Sequence, residues 1–313
     1  MHIVLVVHME LSSKKILHTV SVFSGKLREI GEEERFKLQQ VLVSILIDIQ
    51  HACECIGIEF VLCGGSCLGA VRHKGFIPWD DDIDISLFRE DWDLFKSRFE
   101  ELMGDKYVLE APNYNNKDSK YPWPKIYLKG SEYVDMFDIN YPYEHGISID
   151  VFVIENVAKS KMVRAIDSVF ATMFKFVSTS LLFYKYPNPL VKEMFSLTTQ
   201  SKIYYKLRRG LGCLCSVISH KRWLDWYDKF ISRHYDCSDM VTIPTGTKLY
   251  AGEMLPRDIW LPYSKGLFCG HEMNLPHDSD KYLRNLYGDN YMQIPPKEKQ
   301  EPHSVVSLNF PTE

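Results

Sequence analysis

The chain has 313 residues, a formal net charge of −4 and a pI near 6.3, which argues against an obligate nucleic-acid-binding protein, since such proteins usually carry a basic excess. Hydrophobic residues make up 45% and charged residues 25%, which is ordinary globular usage and excludes a wholly disordered chain. A chain of this length is expected to form about two domains, or one elaborated domain, without disulfide bridges.

Residues 1–31 are weakly patterned, and we expect a peripheral N-terminal segment. Their apolar start is too short for a signal peptide, and it lacks a preceding basic stretch and a small-residue cleavage site. A helix is predicted from Glu32 to about Cys55, because apolar residues recur at three- and four-residue steps. Gly57 is predicted to end this helix.

Short apolar runs separated by turn signals predict a mixed α and β core over residues 32–156. Residues 58–63 are typical of a buried strand, Gly64-Gly65-Ser66 of a turn that opens a short helix, and residues 83–88 of another strand. An amphipathic helix around Trp92 should end at Gly104. Further strands are predicted at residues 125–130, 133–140 and 146–154.

Residues 157–250 are predicted to form a basic helical insertion. Between residues 159 and 222 the chain has twelve lysines and arginines but only Asp167 and Glu193 as acidic residues, a local charge of +10. This segregation fits either a solvated helical surface or a face that meets anionic lipid headgroups or a phosphate-rich acceptor. No transmembrane helix is predicted, because Asp167 and Lys175 interrupt the most apolar stretch, residues 165–186.

Residues 251–313 are expected to be a C-terminal elaboration that completes the site, with one helix near residues 278–287. The eight cysteines are interpreted as free thiols in a reducing compartment. The alternative is a zinc site at Cys53, Cys55, Cys63 and Cys67, but that spacing fits none of the usual zinc patterns.

The acidic run at residues 80–84 carries the densest chemical signal. Asp80, Asp81, Asp82 and Asp84 lie within five residues, and clustered negative charge is unfavourable unless a cation neutralises it. A strand places alternate side chains on one face, so Asp82 and Asp84 are expected to point toward one metal pair while Asp81 faces away. Hard oxygen ligands of this kind favour Mg²⁺ or Mn²⁺.

Two further features fit a phosphate site beside this run. Gly64 and Gly65 allow the backbone to approach a phosphate, and Ser66 can cap the following helix or donate to a phosphate oxygen. Asp150, flanked by apolar residues, is the best candidate for the third carboxylate of a two-metal site for phosphoryl transfer. The alternative for Asp150 is an edge-strand or strand-end residue without such a role.

The run GAVRHKGFIPWDDDIDI, residues 69–85, resembles the LicD family of phosphocholine transferases, whose distant relatives include the fukutin-type ribitol-phosphate transferases. The similarity continues through YPWPKIYLKG, the strand with Asp150, and YLRNLYGDNYMQIPP with His303 beyond it. Two departures are GGSCLG where the family usually has GGTLLG, and PPKEKQEPH where the family often has a Lys-Arg pair before the histidine. The second leaves a phosphate contact at His303 open.

The resemblance implies a nucleotidyltransferase-like mixed sheet and the transfer of phosphocholine from CDP-choline to a sugar hydroxyl of a glycan or lipid-linked precursor. Asp82, Asp84 and Asp150 would then be catalytic, and with Asp80 they would bind the metal. Arg72, Lys74 and Lys125 could stabilise phosphate oxygens, and Trp79 and Trp123 could contribute to a cage for a quaternary ammonium. The full set of implied substrate-binding residues is Gly64, Gly65, Ser66, Arg72, Lys74, Trp79, Trp123, Lys125 and His303.

Alternatives remain for the function and for several of these residues. The donor could be CDP-ribitol or CDP-glycerol, because a metal motif does not distinguish donors, and the basic helices could belong to a catalytically silent protein that binds a membrane or a partner. The charged residues could serve as surface salt bridges and the tryptophans as core. The resemblance and the absent signal peptide together favour action in the cytoplasm, peripherally at the inner face of the membrane, without a nucleic-acid partner.

Overall fold

The computed structural model describes residues 27–236, 238–296, 300 and 304–311, and these contain nine α-helices and twelve β-strands. The strands are β1 (Arg28–Glu29), β2 (Val61–Leu62), β3 (Asp84–Phe88), β4 (Tyr107–Glu110), β5 (Lys125–Leu128), β6 (Glu132–Asp135), β7 (Ser148–Asn156), β8 (Met240–Thr242), β9 (Leu255–Pro256), β10 (Ser264–Phe268), β11 (His271–Leu275) and β12 (Ser304–Asn309). The helices are α1 (Glu32–Ile56), α2 (Gly64–His73), α3 (Arg89–Met103), α4 (Lys161–Lys185), α5 (Pro189–Met194), α6 (Thr199–Cys215), α7 (His220–Ile231), α8 (Leu249–Gly252) and α9 (Ser279–Tyr287). The predicted mixed α/β class is confirmed.

The main sheet places β7 at its centre. Its strand order is β2-β3-β7-β5-β4, and β8 and β9 extend it from β7. β3 runs parallel to β7 and β5 runs antiparallel to it. Ile149, Val151 and Val153 of β7 are buried, and α1 and α3 both pack against this strand. Since side chains alternate along a strand, Asp150 and Phe152 lie on the opposite face, where the candidate site is found.

Among the predicted elements, helix α1 agrees most closely with its prediction. Leu38, Leu42 and Ile45 lie on its buried face at the predicted helical spacing. Gly57 has a φ of 70°, and its N–H donates to carbonyls of the last turn. A left-handed residue of this kind ends a helix at little steric cost only when it is glycine.

Two predicted strands are shorter than expected. Of residues 58–63, only Val61–Leu62 pair with β3, after which the chain turns into α2. Of residues 133–140, only the first three belong to β6, and residues 136–140 form turns. The Asp135 carboxylate accepts a hydrogen bond of 2.6 Å from the Phe137 N–H, and this local bond competes with continuation of the strand.

Helices α4 to α7 follow β7 in the chain, and α4 packs against α6, α7 and α8. The two charged residues within the apolar stretch of α4 are buried and partnered. Asp167 pairs with Arg233 and His234, and the Lys175 ammonium donates to the carbonyls of Thr245 and Gly246 at 2.8 and 3.1 Å. By length and composition alone α4 could cross a membrane, yet half of its most apolar window is buried within the protein.

A buried ion group joins α3, β7 and α7. The Arg89 guanidinium donates to both Glu155 carboxylate oxygens, from Nε at 3.0 and 3.1 Å, and to Asp228 at 3.0 Å. Asn113 completes the group by donating to the second Asp228 oxygen at 2.8 Å. Burial raises the pKa of Glu155, although the charge of Arg89 opposes that rise. Arg89 therefore stabilises the charged form of the buried Glu155 side chain.

We expect Arg89→Met to lower the free energy of unfolding by about 3–5 kcal/mol, because it leaves the Glu155 charge buried and unpaired. Arg98→Met is the matched control on the same helix, since Arg98 pairs with Glu101 on the exposed surface, and it should change the free energy of unfolding far less than Arg89→Met does. Urea unfolding of the two variants measures the difference. Equal effects would contradict a structural role for the buried group.

Candidate functional site

Four charged side chains form a row across one face of the main sheet. In the strand register Asp84 lies beside Asp150, Asp150 beside Lys125, and Lys125 beside Glu110. Neighbouring strands are about 4.8 Å apart and paired residues point to the same face. The predicted carboxylates Asp84 and Asp150, far apart in the sequence, are thus brought together by the parallel pairing of β3 and β7.

The glycine turn lies directly against the acidic side chains. Gly64 has a φ of 52°, and a Cβ built there would lie 2.6 Å from an Asp84 carboxylate oxygen. A Cβ on Gly65 would lie 3.0 Å from an Asp80 oxygen. The Gly64 N–H donates to the Tyr282 hydroxyl at 2.9 Å. A side chain at either glycine would therefore displace a carboxylate that lies close to the N-terminus of α2.

Of the two roles predicted for Ser66, capping of α2 is not observed. The N-cap residue of α2 is Cys63, and no side chain caps this helix. The Ser66 hydroxyl is buried and accepts a hydrogen bond of 2.8 Å from the Asp84 N–H. The hydroxyl thereby fixes the start of β3 relative to α2. Its own proton can still be donated, so a phosphate contact at Ser66 stays a prediction.

Asp80, Asp81 and Asp82 form a group that could hold a metal ion, with one carboxylate oxygen from each lying within 4.8 Å of the others. The expectation that Asp81 faces away from Asp82 is wrong, because a carboxylate oxygen of each lies within 4.8 Å of the other. β3 begins only at Asp84, so strand alternation does not apply to residues 80–82. Asp81 is buried and accepts a hydrogen bond of 2.7 Å from the Tyr133 hydroxyl.

The electrostatic environment of Asp84 strongly disfavours its charged form. Burial raises its pKa well above the usual range, and the negative charges of Asp82, Asp150 and Asp80 raise it further. Asp84 and Asp150 are partners in the strand register, and Asp84 and Asp80 both lie against the glycine turn. Such a concentration of negative charge is unfavourable without compensating cations, and a divalent ion is the compensation that this oxygen-only donor set fits.

Asp150 already has a cationic partner in the structure. Its two oxygens accept from the Lys125 ammonium at 2.8 Å and from the Trp123 indole N–H at 2.9 Å. Burial alone would lower the pKa of Lys125, but Asp150 raises it overall, so the lysine stays charged. Ligation of a metal by Asp150 stays a prediction, because Asp150 does not belong to the group formed by Asp80, Asp81 and Asp82.

Two predicted phosphate ligands lie away from the turn. α2 has ten residues and is therefore about 15 Å long, which places Arg72 and Lys74 at the end opposite Gly64. The Arg72 guanidinium donates to the carbonyls of Tyr291 and Gln293 at 2.7 and 3.3 Å. Arg72 therefore joins α2 to the chain that follows α9, and the exposed Lys74 caps α2 with a φ of 58°.

The aromatic residues of the predicted cage are largely engaged within the protein. Trp123 stacks on Tyr121 with ring centroids 4.6 Å apart, and the Lys125 ammonium lies 4.9 Å from the centre of the Tyr121 ring. Trp79 is partly buried and packs against the main core. His303 lies outside the described residues. The substrate roles of these residues stay predictions.

The sequence reasoning missed three contacts around the site. Gln39 of α1 donates to the Asp80 carbonyl at 2.8 Å, Tyr133 of β6 holds Asp81, and Tyr282 of α9 holds the Gly64 N–H. A polar residue within a helical or strand pattern gives no sign of such a long-range partner. For Tyr282 the one available signal was its position at the start of the YLRNLYG run.

The seven described cysteines are free thiols. Burial raises the pKa of both Cys53 and Cys67 to about 12, which disfavours the thiolate that zinc requires. Among the residues described, Asp80, Asp81 and Asp82 form the only group of three or more histidine, cysteine or acidic side chains close enough to share an ion. The alternative zinc site at residues 53–67 therefore has no support.

The chain is similar to several known proteins. Residues 57–183 match the family model of the LicD/FKTN/FKRP nucleotidyltransferase domain. The chain is 25% identical over 268 residues to the lipopolysaccharide cholinephosphotransferase LicD of Haemophilus influenzae, covering 85% of this chain and 95% of that protein. It is 50% identical over 38 residues to the human ribitol 5-phosphate transferase FKRP, 12% of this chain and 8% of that protein. An uncharacterized Rickettsia typhi protein, RT0683, is 36% identical over 73 residues, 23% of this chain and 22% of that protein.

Proposed function

Because residues 57–183 belong to the LicD/FKTN/FKRP nucleotidyltransferase domain family, we propose that the protein is a LicD-type, metal-dependent phosphotransferase. The observation that carries this proposal is the contact between the Gly64-Gly65 turn and the carboxylates of Asp84 and Asp80. It joins a backbone site for phosphate to a donor set for a divalent cation.

The residues that would hold the ion are Asp80, Asp81 and Asp82, whose carboxylate oxygens lie within 4.8 Å of one another. Asp84 and its strand partner Asp150 would complete the acidic site beside them. Their oxygen-only chemistry suits Mg²⁺ or Mn²⁺. Such an ion, when bound, would neutralise phosphate charge and orient the reacting groups. The buried Ser66 hydroxyl would keep Asp84 in place through its main-chain N–H.

The remaining groups of the site have complementary roles in phosphoryl transfer, which depends mainly on positioning and charge neutralisation. The positive end of α2 and the N–H groups of Gly65 and Ser66 would bind phosphate oxygens, since the Gly64 N–H donates to Tyr282. Lys125 would stabilise negative charge that develops on the transferred group. Asp150 would accept the proton of the attacking hydroxyl, since its oxygens keep spare lone pairs beside Lys125 and Trp123.

We propose CDP-choline as the donor and a sugar hydroxyl of a cell-surface glycan precursor as the acceptor. The similarity to the Haemophilus influenzae LicD protein, which extends over most of both chains, supports this choice. A cleft of about 350 Å³ lies at the edge strand β4, and its lining combines tyrosines and carboxylates with Lys117. The polar and aromatic residues that line it include Glu110, Tyr114, Asp118, Tyr143 and Tyr186.

The second candidate donor is CDP-ribitol or CDP-glycerol. Its support is the short match to the ribitol 5-phosphate transferase FKRP. We also propose that the reaction takes place at the cytoplasmic face of a membrane on a lipid-linked or nucleotide-linked sugar, for which the family resemblance is the support.

The test is release of CMP by the purified protein from a panel of CDP-choline, CDP-ribitol and CDP-glycerol with a mixed glycan extract. We expect release from CDP-choline, its loss on chelation with EDTA, and its recovery with Mg²⁺ or Mn²⁺. Release from CDP-ribitol alone would change the donor and keep the reaction. Release from none of the three, with folded protein and added metal, would contradict the proposed function.

A further inference from the structure

An exposed apolar face extends over α4 and α6, on the side that the described part of the chain leaves uncovered. On α4 the exposed apolar residues recur at three- and four-residue steps, which places them on one face of the helix. The apolar face consists of Met162, Ile166, Val169, Met173 and Phe176 on α4 and Ile203, Leu207 and Leu214 on α6.

The size of this exposure is unusual for a soluble surface. Val169 is 68% exposed and Leu207 67% exposed, and single exposed apolar residues are common whereas a contiguous set marks a contact surface. The two helices pack directly together, because a Cβ on Gly212 would lie 2.2 Å from the Ser180 carbonyl oxygen. The residues of the apolar face thus occupy two adjoining helices.

Lysines and arginines accompany the apolar face. Lys202, Lys206 and Arg209 lie on the outer surface of α6, and Lys161 begins α4. The segment from residue 159 to 222 has a net charge of +10. Exposed apolar side chains on helices with a basic polar surface are typical of helices that lie in the interface of an anionic bilayer.

The opposite face of α4 argues against membrane spanning. There Asp167 pairs with Arg233 and His234, and Lys175 donates to two main-chain carbonyls. Moving α4 into the hydrocarbon would break these contacts and leave two charges in an apolar medium, which is strongly unfavourable. The outer face of α4 can therefore lie on the surface of a membrane, while its inner face stays packed against the protein.

We propose that the apolar face docks the protein on the surface of an anionic lipid bilayer, with α4 and α6 in the plane of the headgroups. A second copy of this chain fits less well, because two copies would bring their basic surfaces together and like charges oppose association. This inference goes beyond the proposed transfer reaction, and vesicle binding can be measured whether or not the protein releases CMP.

The test is flotation of the full chain with phosphatidylcholine vesicles that contain or lack phosphatidylglycerol. We expect binding to the anionic vesicles, and a reduction of at least about tenfold in Val169→Asp and Leu207→Asp, because each places a charge at the depth of the headgroups and acyl chains. Leu94→Asp is the matched control, since Leu94 is 42% exposed on α3, outside the apolar face. It should bind as the unchanged protein does.

A double substitution on α6 distinguishes the contribution of charge to vesicle binding from the contribution of apolar contact. Lys202→Glu combined with Lys206→Glu should weaken binding to anionic vesicles only, and this variant decides the matter if an apolar-face variant fails to fold. Absence of binding, or equal binding by all variants, would overturn the proposal. A dimer that Val169→Asp converts to a monomer in sedimentation would also overturn it, because the apolar face would then bind a second copy of the chain. Protein that stays in cell membranes after alkaline extraction would overturn it as well, because α4 would then span the membrane.

Discussion

Asp84→Asn should lower the rate of CMP release from CDP-choline by more than about 100-fold. Loss of a residue that only hydrogen-bonds to a metal ligand usually has a smaller effect. Asp84 lies against the Gly64 turn and next to Asp150 on the neighbouring strand. The amide keeps the size of the side chain but removes its negative charge. The loss should therefore appear in kcat with the fold intact.

The same substitution should leave the protein as stable as before, or more stable, when no metal is added. The reason is that Asp82, Asp150 and Asp80 all oppose ionisation of Asp84, so removing this charge relieves repulsion. Added Mg²⁺ should raise the melting temperature of the unchanged protein more than that of the variant. Asp105→Asn, at an exposed position, should change neither measurement. Activity retained in Asp84→Asn would remove this carboxylate from the mechanism.

The second large effect is expected for Gly64→Ala. The added Cβ would lie 2.6 Å from an Asp84 oxygen, which no side chain accommodates without movement. Asp84 would be displaced from the turn, and displacement of a catalytic group by about 1 Å can lower a rate about 100-fold. We expect CMP release to fall by at least about tenfold.

Gly57→Ala is a matched control for the backbone. Gly57 has a φ of 70° and Gly64 a φ of 52°, but a Cβ on Gly57 would meet nothing within 4 Å. Both substitutions place alanine in a left-handed conformation and should destabilise the protein by about 1–2 kcal/mol. Urea unfolding and CMP release, measured on both variants, separate strain from displacement of Asp84. Equal activity in the two would show that contact with the turn is unimportant.

The parts of the fold with local patterns could be predicted from the sequence. The 3.6-residue spacing of Leu38, Leu42 and Ile45 defined α1 with its glycine end, and the apolar run at residues 83–88 defined β3. Each pattern reports a periodicity that a single helix or strand must have to bury one face. The mixed class followed from the sum of these elements.

The candidate site was only partly accessible to such reasoning. The acidic run and the glycine turn were visible because their residue types are unusual, and the pairing of Asp84 with Asp150 followed from two strands meeting in one sheet. The orientation of Asp81 was wrong because the regular strand begins after it. The contact of Tyr282 with Gly64 could not be derived, since it depends on how distant segments pack.

The contact between Gly64 and Tyr282 joins two parts of the chain that are synthesised far apart in time. Gly64 and Tyr282 are 218 positions apart, and Arg72 reaches Tyr291 across 219. Contacts of such high sequence separation form late and require the closure of long loops. The glycine turn therefore acquires its full set of partners only after α9 has left the ribosome, so the growing chain carries its acidic residues for most of synthesis without a finished site.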